Sequence, residues 1–182
     1  MENSMITINK ITLVRNGRTI ISGYSEQIPA GSITIILGPN GSGKSTLLAA
    51  IAGDIAPHEG SITIDERDPQ LSSAGFTVRQ VIEMAGPSDC VMKKLELTAI
   101  ADRLVTTLSG GESQRVSIAQ AIAQNAPVLL LDEPLSVQDV ESRVRIIDLL
   151  KTLAESGTTV VVVAHSSEID LAWADKIIKN FA

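Results

Sequence analysis

The sequence is short of the residues that build disulfide frameworks, metal clusters and membrane spans. It has one cysteine, Cys90, and two histidines, His58 and His165, among 182 residues. A single thiol cannot close an internal disulfide or a cysteine-based metal site, which fits a reducing compartment. Two histidines likewise exclude a histidine-rich metal site. Cations are in deficit as well: 15 Lys and Arg stand against 21 Asp and Glu, a net charge of −6. A nucleic-acid surface needs clustered Lys and Arg, so no nucleic-acid partner is expected. The pair Lys93-Lys94 reads as solvated surface. The longest apolar runs, Val128 to Leu131 and Val160 to Ala164, fall far short of the roughly 20 residues that cross a bilayer. The N-terminal MENSMITINK has neither a basic lead nor an apolar signal core. The expectation is a chain soluble by itself, with any membrane role supplied through a partner.

What is present reads as one globular unit. Hydrophobic residues make up 44% and charged residues 20%, without repeats, low-complexity stretches or a clear linker. Ile6, Ile8, Ile11 and Leu13, then Ile20 and Ile21, flank Asn16-Gly17, which predicts an antiparallel β flap. Ser32 to Leu37, Val128 to Leu131 and Thr159 to Ala164 are short, nearly continuous apolar runs, as buried parallel strands are. Helices are expected over Leu47 to Ala52, closed by Gly53, and from about Asp139 to Glu155. In the second, Val140, Val144, Ile147, Leu150 and Ala154 are expected to line the buried face. Strands alternating with helices imply a parallel sheet with right-handed crossovers. Thr77 to Ala121 reads as mainly helical, broken at Gly86-Pro87, and could form a lobe beside the sheet.

Two motifs carry chemistry, the second because the first stands upstream of it; alone, acidic residues after a strand more often start a loop. Gly38-Pro39-Asn40-Gly41-Ser42-Gly43-Lys44-Ser45, continued by Thr46, fits G-x-x-x-x-G-K-[ST] between a predicted strand and a predicted helix. Glycines let successive backbone N–H groups curl around an anion, and the helix N-terminus adds positive dipole character. Lys44 should reach the β- and γ-phosphates of ATP, and the Ser45 hydroxyl should ligate Mg²⁺. The second motif, Val128-Leu129-Leu130-Leu131-Asp132-Glu133, is an apolar strand ending in two carboxylates at the sheet edge where ligands bind. Asp132 can hold Mg²⁺ through water, and Glu133 can orient or deprotonate the attacking water.

Leu108-Ser109-Gly110-Gly111-Glu112 is followed by Ser113-Gln114-Arg115 and a helical run through Ala123. Together with the phosphate loop and LLLDEP, this LSGGE stretch resembles the ATP-binding cassette (ABC) ATPases over almost the whole chain. The resemblance implies an α/β P-loop NTPase fold. It would have a mainly parallel core sheet, an N-terminal antiparallel β flap and a shortened helical subdomain at about 76–125, all within one nucleotide-binding domain, 1–182. It further implies a head-to-tail dimer with two ATPs at the interface, in which Ser109, Gly110 and Gly111 meet the γ-phosphate held by the opposite subunit. His165 stands where the family's switch histidine would be. Asp139 would belong to the loop joining the two sites, or would simply cap the following helix, and both readings are open.

Departures from the family pattern bear on three positions. The adenine-stacking aromatic has no counterpart near Arg15, whose planar guanidinium could stack instead. The interval between Lys44 and Ser109 is short, 65 residues (109 − 44), and the metal-sensing glutamine falls on Gln70, with Gln80 as rival. A plain surface-loop glutamine is an equally open reading of Gln70. Gln138 occupies a place where leucine is usual. The stretches FTVRQVIEMAG and KKLELTAIADRLVTTLSGGESQRVSIAQAIAQ are similar to those of importers of iron chelates, haem or cobalamin. That resemblance implies permease subunits as partners and a cytoplasmic position on the inner face of the membrane. An exporter ATPase, or a soluble ABC ATPase in protein or cofactor assembly, stand as alternatives.

Overall fold

The computed structural model describes residues 4–64, 77–165 and 171–179. Strands β1 (Ser4–Arg15) and β2 (Arg18–Pro29) form the expected hairpin. Asn16 and Gly17 both take positive φ, 51° and 73°, as a two-residue turn matched to strand twist requires. A third strand, β4 (Glu59–Ile64), joins the far side of β1, giving the antiparallel order β2-β1-β4. This strand was not anticipated, although Ser61-Ile62-Thr63-Ile64 alternates as a half-buried strand should.

The second sheet is wholly parallel, in the order β5-β6-β3-β7. Its members are β3 (Ile33–Leu37), β5 (Val128–Asp132), β6 (Thr159–Ala164) and the short β7 (Lys176–Ile178), also unanticipated. Every residue of β3 and β6 is buried, which accounts for their unbroken apolar composition. The pleat divides their side chains between two cores. Ile36, Val161 and Val163 pack with Leu47 and Ile51 of α1 (Lys44–Ala52) and with Ile6, Ile11 and Ile28 of the antiparallel sheet. Ile33, Ile35, Val160 and Val162 face the remaining helices. Those are α2 (Val78–Ala85), α3 (Asp89–Lys94), α4 (Gly110–Ala123) and α5 (Val140–Glu155).

The stretch from α2 to α4 is helical as expected, with two short 3-10 turns, Thr98–Ile100 and Val105–Thr107, before α4. Val81 and Ile82 of α2 share a core with Met92, Leu95, Ile118 and Ala119. Gln120 Nε2 donates to the Val81 carbonyl at 3.2 Å, tying α4 to α2. None of the described helices is long and apolar enough to cross a membrane.

The expected face of α5 holds in its C-terminal half and needs correction in its first turns. Leu150 and Ala154 are buried and Ile147 packs against the core, while Val140 and Val144 are 77% and 53% exposed. Ser142, Ile146 and Leu149 complete the buried side.

Gly60 shows how closely the antiparallel strands approach. Its φ is +79°, and a Cβ there would stand 2.3 Å from the Asn9 carbonyl oxygen and 2.4 Å from that of Lys10. Gly60→Ala should lower stability by about 1–3 kcal/mol from the strained backbone alone, with the clash adding to it. Urea unfolding of both proteins checks this through a fall in midpoint at unchanged slope.

Candidate functional site

Because β3, β5 and β6 are parallel, their carboxyl ends open onto one edge of the sheet. Leu37 pairs with Ala164, and Asp132 pairs with Val163. The chain therefore delivers the glycine-rich loop after β3, the Asp132-Glu133 pair after β5 and His165 after β6 to the same edge, as ligand sites in open α/β sheets require.

The loop ends in a helix start without a side-chain lid. Gly43 is the N-cap of α1, in left-handed conformation with φ 92°, and no side chain bonds to the first-turn N–H groups. The first N–H groups of any helix lack intrahelical partners. In α2, α4 and α5 they are met by Thr77, Ser109 and Asp139. In α1 they are left for something else. A Cβ on Gly43 would lie 2.7 Å from Ile20 Cγ2, so only glycine lets the loop lie this close to β2.

Lys44 is 5% exposed, and among the described residues its ammonium donates only to the Gly38 and Pro39 carbonyls, at 2.8 and 3.0 Å. A buried cation without an anion is costly. The buried Ser42 Oγ has no hydrogen-bond partner. A Cβ on Gly38 would stand 2.6 Å from that oxygen. A buried ammonium, an orphaned hydroxyl and an open helix start together fit a polyanion such as a triphosphate.

Beside this loop lies a cavity of about 320 Å³ lined by Arg15, Ile20, Asn40, Gly41, Gly43, Lys44, Ser45, Thr46 and Glu133. Glu133 sits in a left-handed backbone, φ 48°, which is rare for a non-glycine residue. Its N–H donates to the Val163 carbonyl at 3.0 Å, and its own carbonyl accepts from Ser136 Oγ at 2.9 Å. These bonds fix where its carboxylate emerges. His165 Nε2 lies 2.6 Å from Asn40 Oδ1, joining the end of β6 to the phosphate loop.

A divalent ion has hard oxygen donors at hand in the Ser45 hydroxyl, which lines the cavity, and in Asp132, the exposed last residue of β5. Among the described residues, no group of three or more His, Cys, Asp or Glu could hold a metal ion alone. The donor set therefore fits Mg²⁺ shared with phosphate oxygens, the usual way this ion is bound.

The remaining predicted residues gather elsewhere. Ser109, Gly110 and Gly111 start α4, where Ser109 and Glu112 form a reciprocal capping box. Ser109 N–H donates to Glu112 Oε2 at 2.7 Å, and Ser109 Oγ accepts from the Glu112 N–H at 3.3 Å. Arg103 pairs with Glu112 at 2.9 Å. The bond from Ser109 N–H, with the Ser109 hydroxyl and Arg103 adding to it, holds the Glu112 carboxyl below its ordinary range. Asp139 caps α5, accepting from the Ser142 N–H at 2.7 Å. That bond lowers its pKa, aided by Arg145 and Arg115.

Gln70 lies outside the described residues. Its rival Gln80 has its side-chain oxygen occupied in the capping box of α2, accepting from Thr77 N–H at 2.9 Å. Sequence reasoning missed Ile20, which enters the cavity because the hairpin folds it over Gly43. No local motif marks it.

The profile of the ABC transporter family matches residues 21–85 and 72–136. A hemin import ATP-binding protein of Rhodococcus jostii is 36% identical over 92% of the chain and 68% of its own length. A cobalamin import ATP-binding protein of Halobacterium salinarum is also 36% identical, over 89% of the chain and 49% of its own length. Among solved structures, an ATP-binding subunit of an ABC transporter superposes with a TM-score of 0.84 at 17% identity, covering 96% of this chain and 85% of that one. A dimeric bacterial ABC transporter cassette gives 0.79 at 28% identity, covering 96% and 93%.

The lowered pKa of Asp139 fixes the sign of a pH effect. Its contribution to stability is fully present above the unfolded-state value of about 4 and is lost as pH falls through the lower folded value. Asp139→Ala should therefore melt below the wild type by a constant interval from neutrality to about pH 5. The interval should close under more acid conditions, as thermal melts across that range will show.

Proposed function

The chain belongs to the ABC transporter family, and on that premise we propose that it is the ATP-hydrolysing motor of an importer whose cargo is a metal chelate of the hemin or cobalamin kind. The chain is an ABC-type ATPase coupled to transport. The observation that carries the reading is the buried Lys44 ammonium, held by two loop carbonyls beside an uncapped helix start. The cargo class rests on the hemin and cobalamin import relatives.

In this reading the backbone N–H groups from Asn40 to Thr46 cradle the phosphates, and Lys44 turns from its carbonyls to the β- and γ-phosphates. Bound Mg²⁺ would neutralise phosphate charge, held by the Ser45 hydroxyl and the Asp132 carboxylate, with Gln70 as a further ligand. Glu133 accepts the proton of the attacking water. His165, at hydrogen-bond distance from Asn40, is placed to exchange that contact for the γ-phosphate and to fix the water. Arg15, at the cavity mouth, offers the adenine a flat guanidinium in place of an aromatic ring.

Ser109, Gly110 and Gly111 close the site of a second protomer in a head-to-tail dimer, and Asp139 stands in the loop between the two sites. Neither half-site is complete alone, so ATP favours the closed dimer and hydrolysis releases it. The whole chain, 1–182, acts as one nucleotide-binding domain. Its helical part, about 76–125, docks the permease at the inner face of the membrane.

Glu133→Gln should keep ATP binding and lower kcat by about 10²–10⁴-fold, the scale of a lost general base. Single-turnover hydrolysis with labelled ATP measures it, and an unchanged rate would remove Glu133 from this role. The same variant, tagged and captured from solubilised membranes with Mg-ATP, should carry a stoichiometric polytopic partner. Recovery of a soluble partner, or of none, would favour a cofactor- or protein-assembly ATPase. Arg15→Ala should raise KM for ATP about three- to tenfold at constant kcat, as removal of a ground-state stacking contact does. Steady-state kinetics of the two proteins read that split.

A further inference from the structure

Gln138 joins its own loop and the start of α5 to α4, from which the sequence keeps them apart. It is a buried polar residue, 6% exposed, in the loop that runs from Glu133 to the start of α5. Its side-chain oxygen accepts from Arg115 Nη1 at 3.1 Å, and its side-chain nitrogen donates to the Gly111 carbonyl at 3.2 Å. Its backbone carbonyl accepts from Arg143 Nε on α5 at 3.0 Å. Both ends of one amide are thus used against α4 while its backbone is held by α5. Low local polarity makes such bonds matter more than they would in water.

The fit around this amide is tight. A Cβ on Gly111 would stand 3.3 Å from the Val137 carbonyl and within 3.8 Å of both Gln138 amide atoms. The start of α4 therefore lies close against the loop, and a side chain at Gly111 would press on the Val137 carbonyl. At its other end the loop is fastened to Glu133, through Ser136 Oγ and Ser136 N–H on the Glu133 carbonyl at 2.9 and 3.2 Å. Leucine, usual at this place in the resembling family, could fill the space but could neither donate to Gly111 nor accept from Arg115. The Nε of Arg115 is already buried without a partner, so the Gln138 oxygen is the acceptor the structure gives its guanidinium.

We propose that Gln138 is a positioning residue that ties Gly111, at the start of α4, to the Glu133 loop. A shift at Ser109–Gly111 on meeting the partner protomer's triphosphate is then passed to the Glu133 of the same chain. The inference rests on the head-to-tail arrangement of the proposed function. It adds that the link between the two sites is a side-chain amide, breakable without touching either nucleotide contact.

Two variants separate this role from simple packing. Gln138→Met keeps the volume and loses both side-chain bonds. Gln138→Glu keeps an acceptor for Arg115, loses the bond to Gly111 and sets a carboxylate against that carbonyl. Each is made in the intact chain and in a Glu133→Gln background. In the intact chain, kcat for ATP should fall about tenfold while KM stays within about twofold, the signature of a contact that matters after binding. In the Glu133→Gln background, sedimentation with Mg-ATP should still show the full fraction of protein as dimer, so the loss cannot be a loss of folded molecules. Unchanged kcat in both variants, or a fall matched by an equal fall in the dimerising fraction, would overturn the proposal. A Glu133→Gln parent that stays monomeric with Mg-ATP would instead overturn the head-to-tail reading, and this inference with it.

Discussion

The nucleotide end of the molecule is organised around a buried ammonium ion. Among the described residues, Lys44 bonds to two carbonyl oxygens and forms no ion pair. A cation in that position is tolerable only because the loop dipoles point at it, and it is best satisfied when an anion enters. The surrounding geometry follows from this need. Gly43 brings the loop against Ile20, α1 begins without a cap, and Ser42 keeps a hydroxyl unpartnered. The open helix start and the unpartnered hydroxyl are groups that phosphate oxygens would satisfy.

The helix starts divide by what closes them. Those of α4 and α5 are closed from within, by the Ser109–Glu112 box and by Asp139. Both carboxylates are held ionised by the backbone N–H groups they cap. The start of α1 has no side-chain cap and stays open.

Cargo is a different matter from chemistry. The parallel sheet and its loops provide the hydrolytic edge whichever permease is attached, since a fold does not specify what it serves. A hemin importer and a cobalamin importer both align over most of this chain. Their shared portion is the motor.

Much of this molecule could be read from residues in order. Gly38 to Ser45 after an apolar strand, LLLDEP and LSGGE are local patterns, and the chemistry they imply depends on backbone conformations set within a few residues. The hairpin at Asn16-Gly17 and the buried strands β3, β5 and β6 are equally local. What the order of residues left open was every choice between equivalent faces and every long-range contact. The first turns of α5 leave Val140 and Val144 exposed and bury Ser142 and Ile146 instead, because neighbours decide which side of the helix is covered. Strands β4 and β7 are short, and only their pairing with β1 and β3 makes them strands. Ile20 in the cavity wall and the Gln138 amide between Gly111 and Arg115 have no sequence signature at all. Their partners lie 23 or more residues away in the chain, and hydrogen bonds and close packing form only when tertiary folding brings such distant groups together.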